Sequence, residues 1–221
     1  MTPIYIPTRG ANDWQALLAD PEKHWRVGFS AMTLARCWEA ANGLPPEIAA
    51  IFGEVSPSPE LLLAFPEHKV PLRGSHRGDS QSDLFALVRA GGKTFVVTIE
   101  GKVSEPFDKP LGAWLVNASQ GKRDRLDFIC DLLGLKQPMP NEVSYQLLQR
   151  TAAAVIEARR FKTDAAAMIV HSFSATGKWF DAFARFAALF GARPERDRLL
   201  PVGLDGTLPP SSDGPAAISV F

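Results

Sequence analysis

The stretch SDLFALVRAGGKTFVVTIEGK, Ser82 to Lys102, decides how this chain is read. LFALVR before Gly91-Gly92 and KTFVVTIE after it are rich in β-branched or aromatic residues, the composition of strands, and the Gly-Gly pair between them is a hairpin-turn signal. A two-residue turn there pairs Ala90 with Lys93 and makes the numbers of every later pair sum to 183, which sets Asp83 opposite Glu100. Opposite residues share a face and side chains alternate, so Lys102 points the same way as Glu100. Two carboxylates and one ammonium are thereby expected to converge at the open end of the hairpin. VVTIE is apolar on both faces before the charge begins, as in a central strand covered on both sides.

Such a patch has a chemical use. Two nearby carboxylates repel, and the repulsion falls when a hard divalent cation accepts their oxygens; a neighbouring lysine can then orient a water or stabilise charge developing on a phosphate. The spacing, Asp83 and then Glu100-Gly101-Lys102 on the next strand, resembles the core motif of the PD-(D/E)xK nuclease superfamily, with Ser82 standing where the literal motif has Pro. The resemblance implies an α/β protein with a restriction-endonuclease-like αβββαβ core, a mixed central sheet and extra N-terminal helices. It also implies hydrolysis of a phosphodiester, in DNA rather than RNA, with Mg²⁺ or Mn²⁺ as cofactor. Asp83 and Glu100 would be the metal ligands, the Gly101 carbonyl a further oxygen, and Lys102 the group that positions or polarises the attacking water. The superfamily's helix after this strand commonly carries a Gln facing the site; Gln146 is the candidate and Gln149 the alternative. An acid from the early helices often completes the metal site, and Glu39, Glu47 and Glu54 are all open for that role. The plainer reading is that Glu100 and Lys102 form an ordinary ion pair on one strand and that Asp83 caps the strand's entry.

The loop RGSHRGDSQS before Asp83 is polar and basic, and Arg73, His76 and Arg77 in it are candidate phosphate-binding residues. Asp79 is a second acid near the proposed site, but the hairpin register favours Asp83. Lys122, Arg123 and Arg125 form a second basic cluster, either lining a nucleic-acid groove or making a helix's wet face.

The length of 221 residues fits one domain, divided into an N-terminal helical part (1–59), a core (60–190) and a C-terminal extension (191–221). Lys plus Arg equals Asp plus Glu at 24 each, a balance that argues against strong non-specific nucleic-acid binding and leaves room for a locally basic cleft. That neutrality also sustains a rival reading, a nuclease-like fold serving as an interaction or regulatory module; hydrolysis of a small phosphorylated molecule is a third. Cys37 and Cys130 have no metal-ligand spacing and read as buried free thiols. With no secretory pattern and no long apolar run, the expectation is a cytoplasmic protein without membrane contact, and a homodimer is left open.

Helices are expected over Asn12–Ala19, Ser30–Asn42, Pro46–Gly53, Leu111–Ala118, Lys122–Leu133, Asn141–Arg160 and Gly177–Phe190. Strands are expected from Glu60 to Leu72, bent or broken at Pro66, and from Ala165 to Ser174, with AISVF at the C-terminus as one more edge strand. His171 reads as a satisfied structural histidine, and the aromatics of the last helix as core.

Overall fold

The computed structural model describes residues 8–73 and 78–202, and the backbone of residues 217–220. The hairpin forms as its composition dictates: β2 (Ser80–Ala90) and β3 (Lys93–Lys102) pair antiparallel from Ala90↔Lys93 to Leu84↔Ile99. Gly91 and Gly92 turn the chain at φ 60° and 78°, the left-handed conformation of a type I′ turn that matches the twist of the strands. A Cβ on Gly91 would also sit 3.1 Å from the Val55 carbonyl oxygen.

On the outer side of β2 lies β1 (Glu60–Val70), antiparallel; on the far side of β3 lies β4 (Ala165–Ser172), parallel. The sheet order is β1-β2-β3-β4, a mixed four-stranded sheet in an α/β architecture. A parallel neighbour needs a crossover, and that crossover carries α4 (Leu111–Leu115), α5 (Gln120–Leu133) and α6 (Tyr145–Phe161). Before the sheet come α1 (Pro21–His24), α2 (Ser30–Ala41) and α3 (Pro46–Gly53), preceded by a 3₁₀ turn at Ala11–Leu17.

Both faces of the sheet are covered, which explains why β3 has no exposed residue after Thr94. Phe95, Val97 and Ile99 join Leu84, Ala86 and Val88 against Leu34, Trp38, Ile48 and Phe52 of α2 and α3. Val96, Phe85, Met168 and Val170 face Leu147, Leu148, Ala152 and Val155 of α6. The period-two alternation therefore assigns Asp83, Glu100 and Lys102 to the α6 side.

After β4 the chain forms α7 (Phe180–Ala187), whose Phe183 and Phe186 are buried, as the aromatic spacing implies. β5 (Arg198–Pro201) then pairs with β6 (Ala217–Val220) in a separate two-stranded sheet, so the C-terminal strand forms but does not extend the main one. Several helices are shorter than their sequence patterns. The α6 pattern starts at Asn141, yet the helix starts at Tyr145, because the Asn141 and Val143 carbonyls accept the Gly112 and Leu111 N–H groups at 2.9 and 2.8 Å. Among the described residues no helix is long and apolar enough to cross a membrane.

Candidate active-site cleft

β2 stays paired with β1 down to Ser80↔Val70, while its pairing with β3 ends at Leu84↔Ile99. The two strands part at this point. Asp83 fills the gap with its side chain, Oδ2 accepting the Gly101 backbone N–H at 2.8 Å. Gly101 itself is a place of close approach: a Cβ there would lie 3.3 Å from the Ser30 Cβ and 3.4 Å from Asp83 Oδ2, so glycine lets the start of α2 lean against the strand.

One residue before Gly101 on β3, the Glu100 carboxylate is the hub of a buried network. Its Oε1 accepts from Lys102 Nζ at 2.6 Å and from Gln146 Nε2 at 2.7 Å, and its Oε2 accepts from Arg150 Nε at 2.8 Å. Gln146 and Arg150 lie four apart on α6 and so share one face of that helix. Gln146 Oε1 in turn takes the Asp108 N–H at 3.1 Å, and Arg150 NH1 donates to Ser80 Oγ at 3.1 Å. Glu100, Lys102 and Arg150 are 2%, 4% and 7% exposed, so these charges act in a poorly solvated setting.

A third carboxylate comes from β1. The β1–β2 register, Pro66↔Leu84 and His68↔Ser82, sets Glu67 across from Asp83. Pro66 does not break the strand; the distortion falls on Glu67, which takes φ 53° within it and accepts a hydrogen bond from Gln81 Nε2. Left-handed backbone at a non-glycine residue inside a strand costs on the order of 1 kcal/mol or more and persists only where its surroundings enforce it.

The electrostatics divide the three acids. For Glu100, burial alone would raise the pKa, but Lys102 and Arg150 outweigh it and hold the carboxyl below its ordinary range. Burial, and then the Glu100 charge, pushes Asp83 up to about 7. Burial, and then Asp83, pushes Glu67 up to about 8. Lys102 stays a cation: burial opposes its charge, while Glu100 and Asp83 more than restore it.

These side chains line a cavity of about 850 Å³ that is also bounded by Lys23, His24, Phe29, Glu105, Phe107, Asp108 and Lys109. Five carboxylates (Glu67, Asp83, Glu100, Glu105 and Asp108) face four cations (Lys23, Lys102, Lys109 and Arg150), with His24 beside them. The cleft is concave and close to electrically balanced.

A family model described as a domain of unknown function, DUF6946, matches residues 7–210. The chain belongs to that family. No curated protein and no solved structure matches it.

In this DUF6946 chain the hairpin brings Asp83, Glu100 and Lys102 into one cleft, and α6 adds Gln146 rather than Gln149, whose backbone carbonyl instead accepts from Ser80 Oγ. Gly101 contributes its N–H, to Asp83. Arg73 is exposed and does not line the cleft, and His76 and Arg77 lie outside the described residues. Asp79 is exposed and takes no part. None of the early-helix acids reaches the site. Glu39 accepts from the Trp14 indole, Glu47 pairs with His171, and Glu54 pairs with Arg198. The second basic cluster does not line this cleft: Arg125 is 6% exposed, and the Lys122 ammonium lies 5.0 Å from the centre of the Trp114 ring.

Sequence reasoning missed Glu67 and Arg150. The signal for Glu67 was the register of β1, whose pairs sum to 150 below its bulge and which can be read only once that strand is paired. The signal for Arg150 was its i+4 spacing from Gln146.

Proposed function

We propose that this protein is a metal-dependent phosphodiester hydrolase acting on nucleic acid, with DNA as the preferred substrate, and that its fold is of the restriction-endonuclease-like kind. The observation that carries the reading is the convergence of Asp83, Glu100, Lys102 and Gln146 at the splayed end of β2 and β3, in an open cavity. The element order, helices followed by three antiparallel strands, a helical crossover and a parallel fourth strand, is compatible with that fold.

Asp83 and Glu100 are the residues that would hold a divalent cation. Burial, and after it the neighbouring negative charge, leaves Asp83 and Glu67 holding protons near neutral pH, and a cation can take the place of those protons. A carboxylate offers about four acceptor sites, and three donors meet Glu100, which leaves one site on Oε2. Bound there, a cation such as Mg²⁺ or Mn²⁺ would supply Lewis acidity to the scissile phosphodiester and tip the cleft from balanced to positive.

The chain's own groups have separable tasks. Lys102 carries a fixed positive charge beside the reacting position, where negative charge grows on the phosphate. Gln146, anchored on the Asp108 N–H, holds the orientation of Glu100 and can turn its amide to a water. Arg150 keeps Glu100 ionised. Phe107 lies over the Lys102 ammonium, 5.3 Å from ring centre to nitrogen, and limits solvent access. Lys23, His24 and Lys109 at the mouth are the groups available to flanking phosphates.

A second reading rests on the saturation of Glu100 by three donors and on the balanced charge of the cleft: the same scaffold used as a binding module without turnover. Incubation with single-stranded DNA, duplex DNA and RNA in Mg²⁺ or Mn²⁺ separates the two. Cleavage that falls about 10²- to 10³-fold in Lys102→Met, with the fold intact, supports hydrolysis. Absence of cleavage of every polymer by folded wild-type protein with metal bound supports the binding module.

A further inference from the structure

A second cluster lies on the opposite face of the sheet, and the proposed hydrolysis does not use it. Cys37 of α2, Glu47 of α3 and His171 near the end of β4 bring a thiol sulfur, a carboxylate oxygen and an imidazole nitrogen within 4.8 Å of one another. No other group of three such side chains does so among the described residues. We propose that these three residues bind a divalent transition metal of the zinc class.

The hydrogen-bond pattern points to one position for the ion. The Trp38 indole N–H donates to His171 Nδ1 at 3.3 Å, so the ring carries its hydrogen on Nε2 and directs it at Glu47 Oε1, 2.8 Å away. The Cys37 thiol directs its hydrogen at the same oxygen from 3.5 Å. Two hydrogens from two good metal ligands therefore converge beside a carboxylate, and a dication can take their place.

The donor set selects the metal class. Thiolate, imidazole and carboxylate suit Zn²⁺, whereas Mg²⁺ prefers oxygen ligands and keeps its waters. Zinc–ligand bonds of about 2.0–2.3 Å in tetrahedral geometry separate the ligands by about 3.4–3.6 Å. The sulfur–oxygen separation already fits, and the nitrogen–oxygen one must open by roughly half an ångström. His171 is 4% exposed while the Glu47 side chain is 47% exposed, so the ion has an entry path and a fourth position open to water. On binding, the thiol releases its proton to solvent. The imidazole moves its hydrogen from Nε2 to Nδ1, and three hydrogen bonds, from Trp38 to Nδ1 and from His171 and Cys37 to Glu47, give way to three coordinate bonds. The ion would tie α2 and α3 to β4.

Titration of Co²⁺ into the full chain tests the site independently of any cleavage. Stoichiometric binding with a sulfur-to-cobalt charge-transfer band, displaced by Zn²⁺, is expected in the wild type. Cys37→Ser should abolish the band, and Glu47→Gln, at an exposed position that leaves the core intact, should weaken binding at least about tenfold. Glu100→Gln, in the other cleft, should leave the band unchanged. Folded wild-type protein without the band, or a band that survives Cys37→Ser and so belongs to Cys130, would overturn the proposal.

Discussion

Replacing Asp83 by Asn should make the protein more stable, and increasingly so as pH rises. The Asp83 carboxyl sits near 7 in the folded chain against an ordinary value of 3.8. A group whose folded pKa is raised binds its proton more tightly when folded, so its effect on stability declines as pH climbs from the unfolded value through the folded one. Each pH unit in that window costs about 1.4 kcal/mol, and from pH 5 to pH 7 the loss is about 3 kcal/mol, with little further change above. Asn keeps an oxygen for the Gly101 N–H and removes the charge. It also relieves Glu67, whose own elevation to about 8 owes its second-largest part to Asp83. Urea unfolding of both proteins between pH 5 and 8 reads the effect as the difference between two profiles. His171 drops out of that difference. Its pKa is lowered by burial against the partial restoring effect of Glu47, so it makes both proteins more stable as pH rises toward 6.5. The expected difference grows in favour of Asn by about 3 kcal/mol across the range. A constant difference, or one that favours Asp at pH 8, would refute the electrostatic account of the cleft.

Other consequences follow from the same contacts. Glu100→Gln leaves Lys102 and Arg150 buried against a neutral amide, and chemical denaturation should show a loss of about 3 kcal/mol at neutral pH, part of the usual 3–5 kcal/mol for a broken buried pair being recovered as Asp83 ionises. Gly91→Ala forces a Cβ into left-handed backbone and toward the Val55 carbonyl, and thermal unfolding should register about 1–2 kcal/mol. Gln146→Leu cuts the link between the Asp108 N–H and Glu100, and cleavage assays should show a lowered kcat with a near-normal melting temperature.

The hairpin was legible because its information is local. A Gly-Gly turn and two strands of consistent alternation fix a register as far as Leu84↔Ile99, which brings Asp83 to the end of β3 and turns Glu100 and Lys102 to the same side, although the strands part before Asp83 pairs with Glu100 and its side chain takes the Gly101 N–H instead. Gln146 could be found because a long amphipathic helix must pack on that strand. What escaped depended on contacts far apart in the chain. Glu67 joins the cleft through β1 pairing and a left-handed backbone, neither of which its neighbours announce beyond the preceding Pro66. Arg150 reads as one more polar residue on a helix until Glu100 and Ser80 are found beneath it. The early-helix acids were attractive by type, but Trp14, His171 and Arg198 are nearer to them than the cleft is. Arg125 looked like part of a wet basic face and is buried.

We expect the cleft to take a hard divalent cation between Asp83 and Glu100. Calorimetric titration of Mg²⁺ tests it most directly, because the Cys37, Glu47 and His171 cluster has little affinity for that ion. The account predicts saturable binding in the wild type that is unaffected by Cys37→Ser and lost in Asp83→Asn and Glu100→Gln. Folded wild-type protein that shows no saturable Mg²⁺ binding, or binding that persists in both cleft variants, would contradict it.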